Sequence, residues 1–189
     1  MDGTALSGGF ADTPREAARA FRACLEAMAR PGSLHRVAGA APPAPLSPAA
    51  GALVLTLADT TTGLCLAPSH DAPALRDWIT FHTGAPLVAP GQAVFALGTW
   101  DSLQPLDRFA LGRADYPDRS ATLIVEMPAL EASGARLTGP GIRDSAHLSL
   151  PETEAFVQNG RLFPLGLDFF FTAGSLLAAL PRTSKVEAI

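Results

Sequence analysis

Lysine is nearly absent from this 189-residue chain: Lys185 is the single lysine among 14 basic residues, and the others are arginines. A P-loop requires Gly-Lys-Ser/Thr, and Lys185 follows a serine, so this way of binding a nucleotide is excluded. Pyridoxal phosphate is held as a lysine Schiff base, and Lys185 stands in the C-terminal tail. We therefore expect no pyridoxal phosphate and no other cofactor.

Cysteines, long apolar segments and surplus positive charge are scarce too. The two cysteines, Cys24 and Cys65, stand among apolar residues, so we expect buried thiols and no disulfide. No signal peptide and no uncharged apolar run of about 18 residues is found, which predicts a cytoplasmic protein that does not bind membranes. The net charge of −4 argues against nucleic-acid binding, which needs clustered basic side chains.

What the chain does contain is typical of one folded domain. Hydrophobic residues make up 48% of it and charged residues 17%, which excludes disorder as the general state. The length predicts a single domain spanning residues 1–189, in which residues 1–12 are expected to be flexible. Helical and strand patterns alternate early in the chain. We therefore predict the α/β class, with a mixed sheet flanked by helices.

Four segments have a helical pattern. In residues 14–29, a capping box begins at Thr13, and Phe21, Leu25 and Met28 share an apolar stripe that we expect in the core. The other predicted helices span 48–58, 71–81 and 152–159. The apolar run in the first of these three fits a buried strand equally well.

Short apolar segments predict the strands, which span 63–67, 93–97, 121–126, 136–138, 147–150, 167–172 and 176–180. Gly174, between the last two, predicts a β-hairpin. Residues 115–120 are polar and are expected to form a loop.

No catalytic constellation is recognisable. The four histidines have no metal-binding spacing, and both the Gly-x-Ser-x-Gly elbow and the Gly-x-Gly-x-x-Gly fingerprint are missing. We therefore predict no metal site and assign no catalytic residue. A dispersed Ser-His-Asp triad stays open, because triads are recognised by geometry rather than by spacing.

Seven polar or glycine residues at the ends of predicted elements are candidates for binding a ligand or a partner: Asp59, His82, Thr83, Thr138, Gly139, Arg182 and Thr183. Ligands of open α/β sheets bind where such loops converge. We predict that at least His82, Thr138 and Arg182 lie close together and form a shallow polar site for an anionic group or for a side chain of a partner. Arg182 would supply the charge, unless it only neutralises a carboxylate, and each residue could instead stabilise its own turn.

Six motifs, in this order, resemble one family: Phe21-Arg22 to Pro31-Gly32, Leu55-Thr56-Leu57-Ala58-Asp59, Phe81-His82-Thr83-x-Ala85-Pro86-Leu87-Val88, Leu137-Thr138-Gly139-x-Gly141-Ile142, Phe163-Pro164-Leu165-Gly166-x-Asp168 and Pro181-Arg182-Thr183-x-x-Val186-Glu187. Each motif alone is weak, but six in order are specific. They run from about residue 21 to residue 187 and resemble PhnH, the H subunits of the bacterial carbon–phosphorus (C–P) lyase system for phosphonate use.

The resemblance implies a fold similar to the large domain of pyridoxal-phosphate-dependent transferases, without that cofactor. It implies a homodimer when the chain is isolated and, in the cell, a core complex with the G, I and J subunits. That system, with the L subunit as well, couples an alkylphosphonate to C1 of the ribose of ATP and releases adenine. No catalytic residue is implied for the H subunit, so we expect an accessory subunit without independent activity.

Other functions stay open. The chain could be a stand-alone enzyme or a protein that binds a small phosphorylated ligand on the same α/β scaffold, or a purely structural assembly module. Neighbouring genes for other phosphonate subunits would favour the accessory subunit, whereas an isolated gene would favour a stand-alone role.

Overall fold

A computed structural model describes residues 7–188. The helices of this part of the chain are α1 (Thr13–Ala29), α2 (Pro48–Leu57), α3 (Pro73–Thr83), α4 (Trp100–Leu103) and α5 (Glu154–Arg161). Its strands are β1 (His35–Arg36), β2 (Leu64–Leu66), β3 (Phe95–Thr99), β4 (Leu111–Arg113), β5 (Tyr116–Ser120), β6 (Thr122–Glu126), β7 (Ala135–Thr138), β8 (Ala146–Leu148), β9 (Asp168–Ala173), β10 (Leu176–Leu180) and β11 (Lys185–Glu187).

The main sheet contains six strands in the order β1-β10-β9-β6-β3-β2. Strands β2, β3, β6 and β9 are parallel, whereas β10 and β1 are antiparallel to their neighbours. A three-stranded sheet, β11-β7-β8, and the β4-β5 hairpin complete the structure of the described residues. The α/β class with a mixed central sheet flanked by helices is therefore confirmed.

Each face of the main sheet carries its own buried cluster. Helices α1, α2 and α3 cover one face, and α4, α5 and the three-stranded sheet cover the other. Successive side chains of a strand point to opposite faces, so Phe170 joins the first cluster while Phe169 and Phe171 join the second. Cys24 and Cys65 are buried free thiols, one in each cluster, as expected.

Residues 48–58, whose sequence pattern fits a helix and a strand equally well, contain helix α2. Ser47 begins it, because its hydroxyl accepts a hydrogen bond from Ala50 N at 3.2 Å and Pro48 fits the first turn. The six residues 49–54 are all buried, because α2 packs between α1, α3 and β9. A helix buried on every side has no amphipathic period, which is why its pattern was ambiguous.

Helix α1 buries a different stripe from the predicted one. Phe21 and Leu25 are 48% and 55% exposed, and Met28 is only partly buried. The prediction that these side chains belong to the core is wrong for Phe21 and Leu25. The helix packs on α2 and β10 through small side chains, namely Ala20, Cys24 and Ala27. The predicted capping box at Thr13 is also wrong: the N-cap is Asp12, whose side chain makes no capping bond, although its backbone N–H donates to Glu16 Oε2 at 2.9 Å.

The prediction of a loop over residues 115–120 is wrong. This segment contains strand β5, which pairs antiparallel with β4. Only Ser120 among the residues of β5 is buried. A strand with so little buried surface does not need alternating apolar residues, and its sequence has none. Arg119 covers the ring of Tyr116, with its guanidinium carbon 4.0 Å from the ring centroid. A hairpin that is largely exposed lacks the period-2 pattern from which strands are predicted.

The N-terminal segment is only partly described. Residues 1–6, half of the segment expected to be flexible, lie outside the described residues. Beyond them, Trp78 Nε1 donates to the Ser7 carbonyl at 2.9 Å, and Ala41 N donates to the Gly8 carbonyl at 2.8 Å. The flexible segment and the single domain of residues 1–189 stay predictions. None of the described helices has the length and apolar character needed to cross a bilayer.

Candidate functional site

The predicted site residues are divided between the two faces of the main sheet. Thr138, Gly139, Arg182 and Thr183 lie together, because β7 pairs with β11 and brings the turn after β7 beside the turn 181–184. His82 and Thr83 end helix α3, which covers the opposite face of the main sheet. Asp59 follows α2. The structure therefore unites four of the seven residues and leaves His82 away from Arg182.

Arg182 forms a largely buried ion pair with Asp168. Its Nε donates to Asp168 Oδ1 at 3.1 Å, its Nη2 donates to Oδ2, and its backbone N–H donates to Oδ1 at 2.8 Å. Nη1 donates to the Pro117 carbonyl at 2.7 Å, and Nη2 also donates to Ser120 Oγ. The two charged side chains are 12% and 21% exposed. Arg182 was expected either to bind an anionic ligand or to neutralise a carboxylate, and in the structure it neutralises the carboxylate of Asp168.

The register of the β9-β10 hairpin creates this pair. Leu180, the last residue of β10, pairs with Phe169, the second residue of β9. Arg182 therefore leaves the sheet at the same end at which Asp168 enters it. A planar guanidinium bonded to both carboxylate oxygens is a rigid arrangement, and it fixes the path of the chain from β10 into the following turn.

Gly139 has a packing role in the same region. Its φ of +129° is favourable only for glycine, and a side chain there would approach the Thr183 carbonyl oxygen to 3.0 Å. Thr138 is the strand partner of Lys185. The Gly-Pro-Gly turn thus lies directly on the turn 181–184, and its backbone is used for close packing.

His82 lies in an aromatic environment on the other face. Its ring centroid is 5.0 Å from those of Trp78 and Phe81. Its Nε2 is 3.4 Å from the Ser7 carbonyl oxygen. These contacts attach the end of α3 to the N-terminal segment.

Thr83 and Asp59 make local hydrogen bonds. Thr83 Oγ1 donates to the Ile79 carbonyl at 2.8 Å and accepts from Ala85 N at 3.0 Å. Asp59 Oδ1 accepts from the hydroxyl and the backbone N of Thr61, at 2.7 and 2.8 Å. These bonds, the hydroxyl bond first, lower the pKa of Asp59. Both residues stabilise the turn in which they stand.

A groove of about 520 Å³ opens beside the four grouped residues, between α5, β11 and the turn 181–184. Phe156 and Val186 form part of its lining and are buried. Arg161 and Lys185 line it as well and are exposed. Ser184, which also lines it, is 4% exposed, and its Oγ has no hydrogen-bond partner between residues 7 and 188. The groove is therefore apolar inside and positively charged at its edge.

A second polar cluster, which the sequence patterns did not predict, lies at the carboxyl ends of β2 and β3. Ser69 Oγ lies 2.9 Å from His70 Nδ1 and 2.6 Å from Ser102 Oγ, and it accepts from Thr99 N at 3.0 Å. A Ser-His pair directly after a buried strand was the available signal, since carboxyl ends of parallel strands meet at one edge. His70 Nε2 has no hydrogen-bond partner among the described residues, so no carboxylate orients the ring as in a triad.

Metal binding has no structural support in the described part of the chain. No group of three or more His, Cys, Asp and Glu side chains there is placed to hold a metal ion.

Comparison with known proteins identifies the family. The family model described as bacterial phosphonate metabolism protein (PhnH) matches residues 8–187. The chain belongs to the PhnH family. A relative in Rhizobium meliloti (strain 1021), named alpha-D-ribose 1-methylphosphonate 5-triphosphate synthase subunit PhnH, is 41% identical over 192 residues, which cover 96% of this chain and 95% of the relative. In Stutzerimonas stutzeri, "Putative C-P lyase subunit protein HtxG" is 28% identical over 196 residues, with 95% of each chain covered.

Membership of the PhnH family confirms the resemblance that the six motifs indicated. In this PhnH-family chain, several motif residues have structural roles. Asp168 and Arg182, from the fifth and sixth motifs, form the ion pair. Gly141, from the fourth motif, has a φ of +80° and lies against the Ala29 carbonyl at the end of α1. These motif residues therefore fix contacts between distant parts of the fold.

We expect acidification to destabilise this PhnH-family chain through His70. Burial lowers the pKa of His70 below its ordinary value of 6.5, so below about pH 6.5 the unfolded chain binds a proton that the folded chain does not. Stability should fall as the pH decreases through this range, by at most about 1.4 kcal/mol per pH unit. Urea unfolding at about pH 7.5 and 5.5 measures the effect.

The control is His70→Asn, which keeps a polar group near Ser69 and cannot titrate. We expect the variant to lose less stability than the natural chain between the two pH values. Burial raises the pKa of Glu126, which acts in the opposite direction, but it does so in both proteins. An equal loss in the two proteins would show that His70 is not the titrating group.

Proposed function

We propose that this chain is an accessory subunit of the C–P lyase complex, required when that complex couples an alkylphosphonate to C1 of the ribose of ATP and releases adenine. The observation that carries the proposal is the 41% identity, across 96% of the chain, to a subunit of ribose 1-methylphosphonate 5-triphosphate synthase. The name of the second relative, a C-P lyase subunit protein, supports the same assignment. We place the chain in the cytoplasm, where ATP is available.

An accessory role agrees with the chemistry of the candidate residues. Asp59, Thr83 and Arg182 use their polar atoms for bonds within the chain. Among the residues that the structure describes, the Ser69–His70 pair has no third member to orient the imidazole. We therefore assign the bond-making steps to other subunits and a supporting role to this chain.

The exposed ridge of α1, formed by Phe21 and Leu25, supports a role in assembly. Large apolar side chains in water are characteristic anchors of protein interfaces. Arg22, which follows Phe21 in α1, is exposed and forms no ion pair with any of residues 7–188. We propose that the chain forms a homodimer when isolated and joins the G, I and J subunits in the complex, with this ridge as one contact.

Reconstitution tests the proposed function. The G, I, J and L subunits are purified with and without this chain, and adenine release from ATP and methylphosphonate is measured. We expect release to fall at least about tenfold without the chain. Equal release in both preparations would contradict the accessory role.

The ridge is tested in the same system with Phe21→Ser combined with Leu25→Ser. Because both side chains are about half exposed, we expect a loss of stability below about 1 kcal/mol, together with weaker co-purification with the other subunits or with a second copy. Tyr116→Ser, which removes an exposed ring from the β4-β5 hairpin, is the control. Assembly of both variants at the natural level would remove the ridge from the proposal.

A further inference from the structure

The groove between α5 and β11 has the features of a ligand site. We propose that it binds an organic phosphate of about nucleotide size, with the apolar or aromatic part inside and the phosphate at Arg161, Lys185 and Ser184. This inference stands apart from the proposed function, because it concerns a ligand that the chain binds by itself.

The charge of the groove favours an anion. Its lining contains Arg161, Arg182 and Lys185 and, among the described residues, no Asp or Glu. The charge of Arg182 is balanced by Asp168. Arg161 and Lys185, at the edge of the groove, form no ion pair with any side chain of residues 7–188. Glu187, which follows Lys185 in β11, is bound to Arg136 at 2.7 Å. A net positive groove in a chain of net charge −4 is a local exception.

Ser184 supplies an independent observation. Its Oγ is buried and has no partner in the described part of the chain, although buried hydroxyl groups are nearly always hydrogen-bonded. The backbone of Ser184 is fixed, because its N–H donates to the Pro181 carbonyl at 2.9 Å and closes the turn. A phosphate oxygen in the groove would give this hydroxyl the hydrogen bond that it lacks.

The interior of the groove suits a flat or apolar group. Phe156 and Val186 are buried in its lining, and Phe163 stands at its edge with 59% of its surface exposed. An exposed aromatic ring offers a face on which a heterocycle can stack. The volume of about 520 Å³ lies within the range of small-molecule sites. Together with the charge, this selects a compound with both a ring and a phosphate.

Calorimetric titration of the full chain with ATP tests the proposal, with adenosine and inorganic triphosphate as the two halves of the probe. We expect ATP to bind more tightly than either half, and we expect its affinity to fall as the salt concentration rises. If triphosphate binds as tightly as ATP, the groove is a general anion-binding surface, and the proposal that it recognises an organic phosphate is wrong. No binding of any of the three at millimolar concentration would overturn the proposal.

Two variants locate the site. Ser184→Ala should weaken ATP binding about tenfold while the melting temperature stays the same or rises, because the variant removes a buried hydroxyl without a partner. Lys185→Ala should weaken binding about fivefold, most clearly at low salt. Arg113→Ala, which removes a cation from β4 outside the groove, is the control and should change nothing.

A second outcome identifies a different occupant. If ATP affinity is unchanged in both variants while co-purification with the G, I and J subunits is lost, the groove holds a partner segment and the small-molecule proposal is wrong. Because ATP binding is measured on the isolated chain and adenine release on the whole complex, either proposal can fail without the other.

Discussion

Asp168→Ala should lower the free energy of unfolding by about 3 kcal/mol, because it leaves the largely buried Arg182 guanidinium without its carboxylate. Arg182→Ala should cost a similar amount. The double variant should cost less than the sum of the two, since it leaves no unpaired charge. Urea unfolding of the natural chain, the two single variants and the double variant measures these free energies and completes the double-mutant cycle.

The exposed pair of Arg113 and Asp115 is the matched control, because both side chains are more than half exposed. We expect less than about 1 kcal/mol from breaking it. If Arg182 instead serves a ligand, Arg182→Ala will leave stability unchanged. That result would refute the structural role and return Arg182 to the list of binding residues.

Gly141→Ala should be the most damaging single substitution of a turn residue. The added carbon would lie 1.9 Å from the Ala29 carbonyl oxygen, and the φ of +80° is unfavourable for alanine. The end of α1 must move to make room. We expect a loss of about 3 kcal/mol or more, or failure to accumulate folded protein.

Gly174→Ala separates the two causes of this loss. Gly174 also has a positive φ, of +57°, but nothing lies within 4 Å of the added carbon. We expect a cost of about 1 kcal/mol from backbone strain alone. Equal losses in the two variants would mean that the contact with Ala29 is not the reason for glycine at position 141.

The elements that the sequence predicted well are those with a clear local signal. The extent of α1, which is predicted to within one residue, and the glycine turn between β9 and β10 depend on neighbouring residues only. The inward face of α1 could not be predicted in the same way. Helix α1 lies close to α2 and β10, and only the small side chains of Ala20, Cys24 and Ala27 fit between them. A prediction that buries the largest apolar side chains selects Phe21 and Leu25 instead.

The candidate site was partly predictable for a related reason. Gly139 follows β7 and Arg182 precedes β11, and the two residues meet only because these strands pair. That pairing joins Thr138 to Lys185, which are 47 residues apart in the sequence. Nothing in the local pattern shows that α3 covers the other face, which separates His82 from these residues. The Ser69–His70 pair was missed because a short polar segment after a strand has the composition of an ordinary loop.

The exposed ridge of α1 has a consequence for the life of the chain in a cell. If a partner covers Phe21 and Leu25, as we propose, the chain is best protected when it is made at the same time as that partner. Copies made in excess would keep an exposed apolar surface on α1. Other unassembled chains could bind to it, as could the proteases and chaperones that recognise apolar surfaces. The supply of partner subunits, more than the intrinsic stability of the fold, would then set how much of this chain persists.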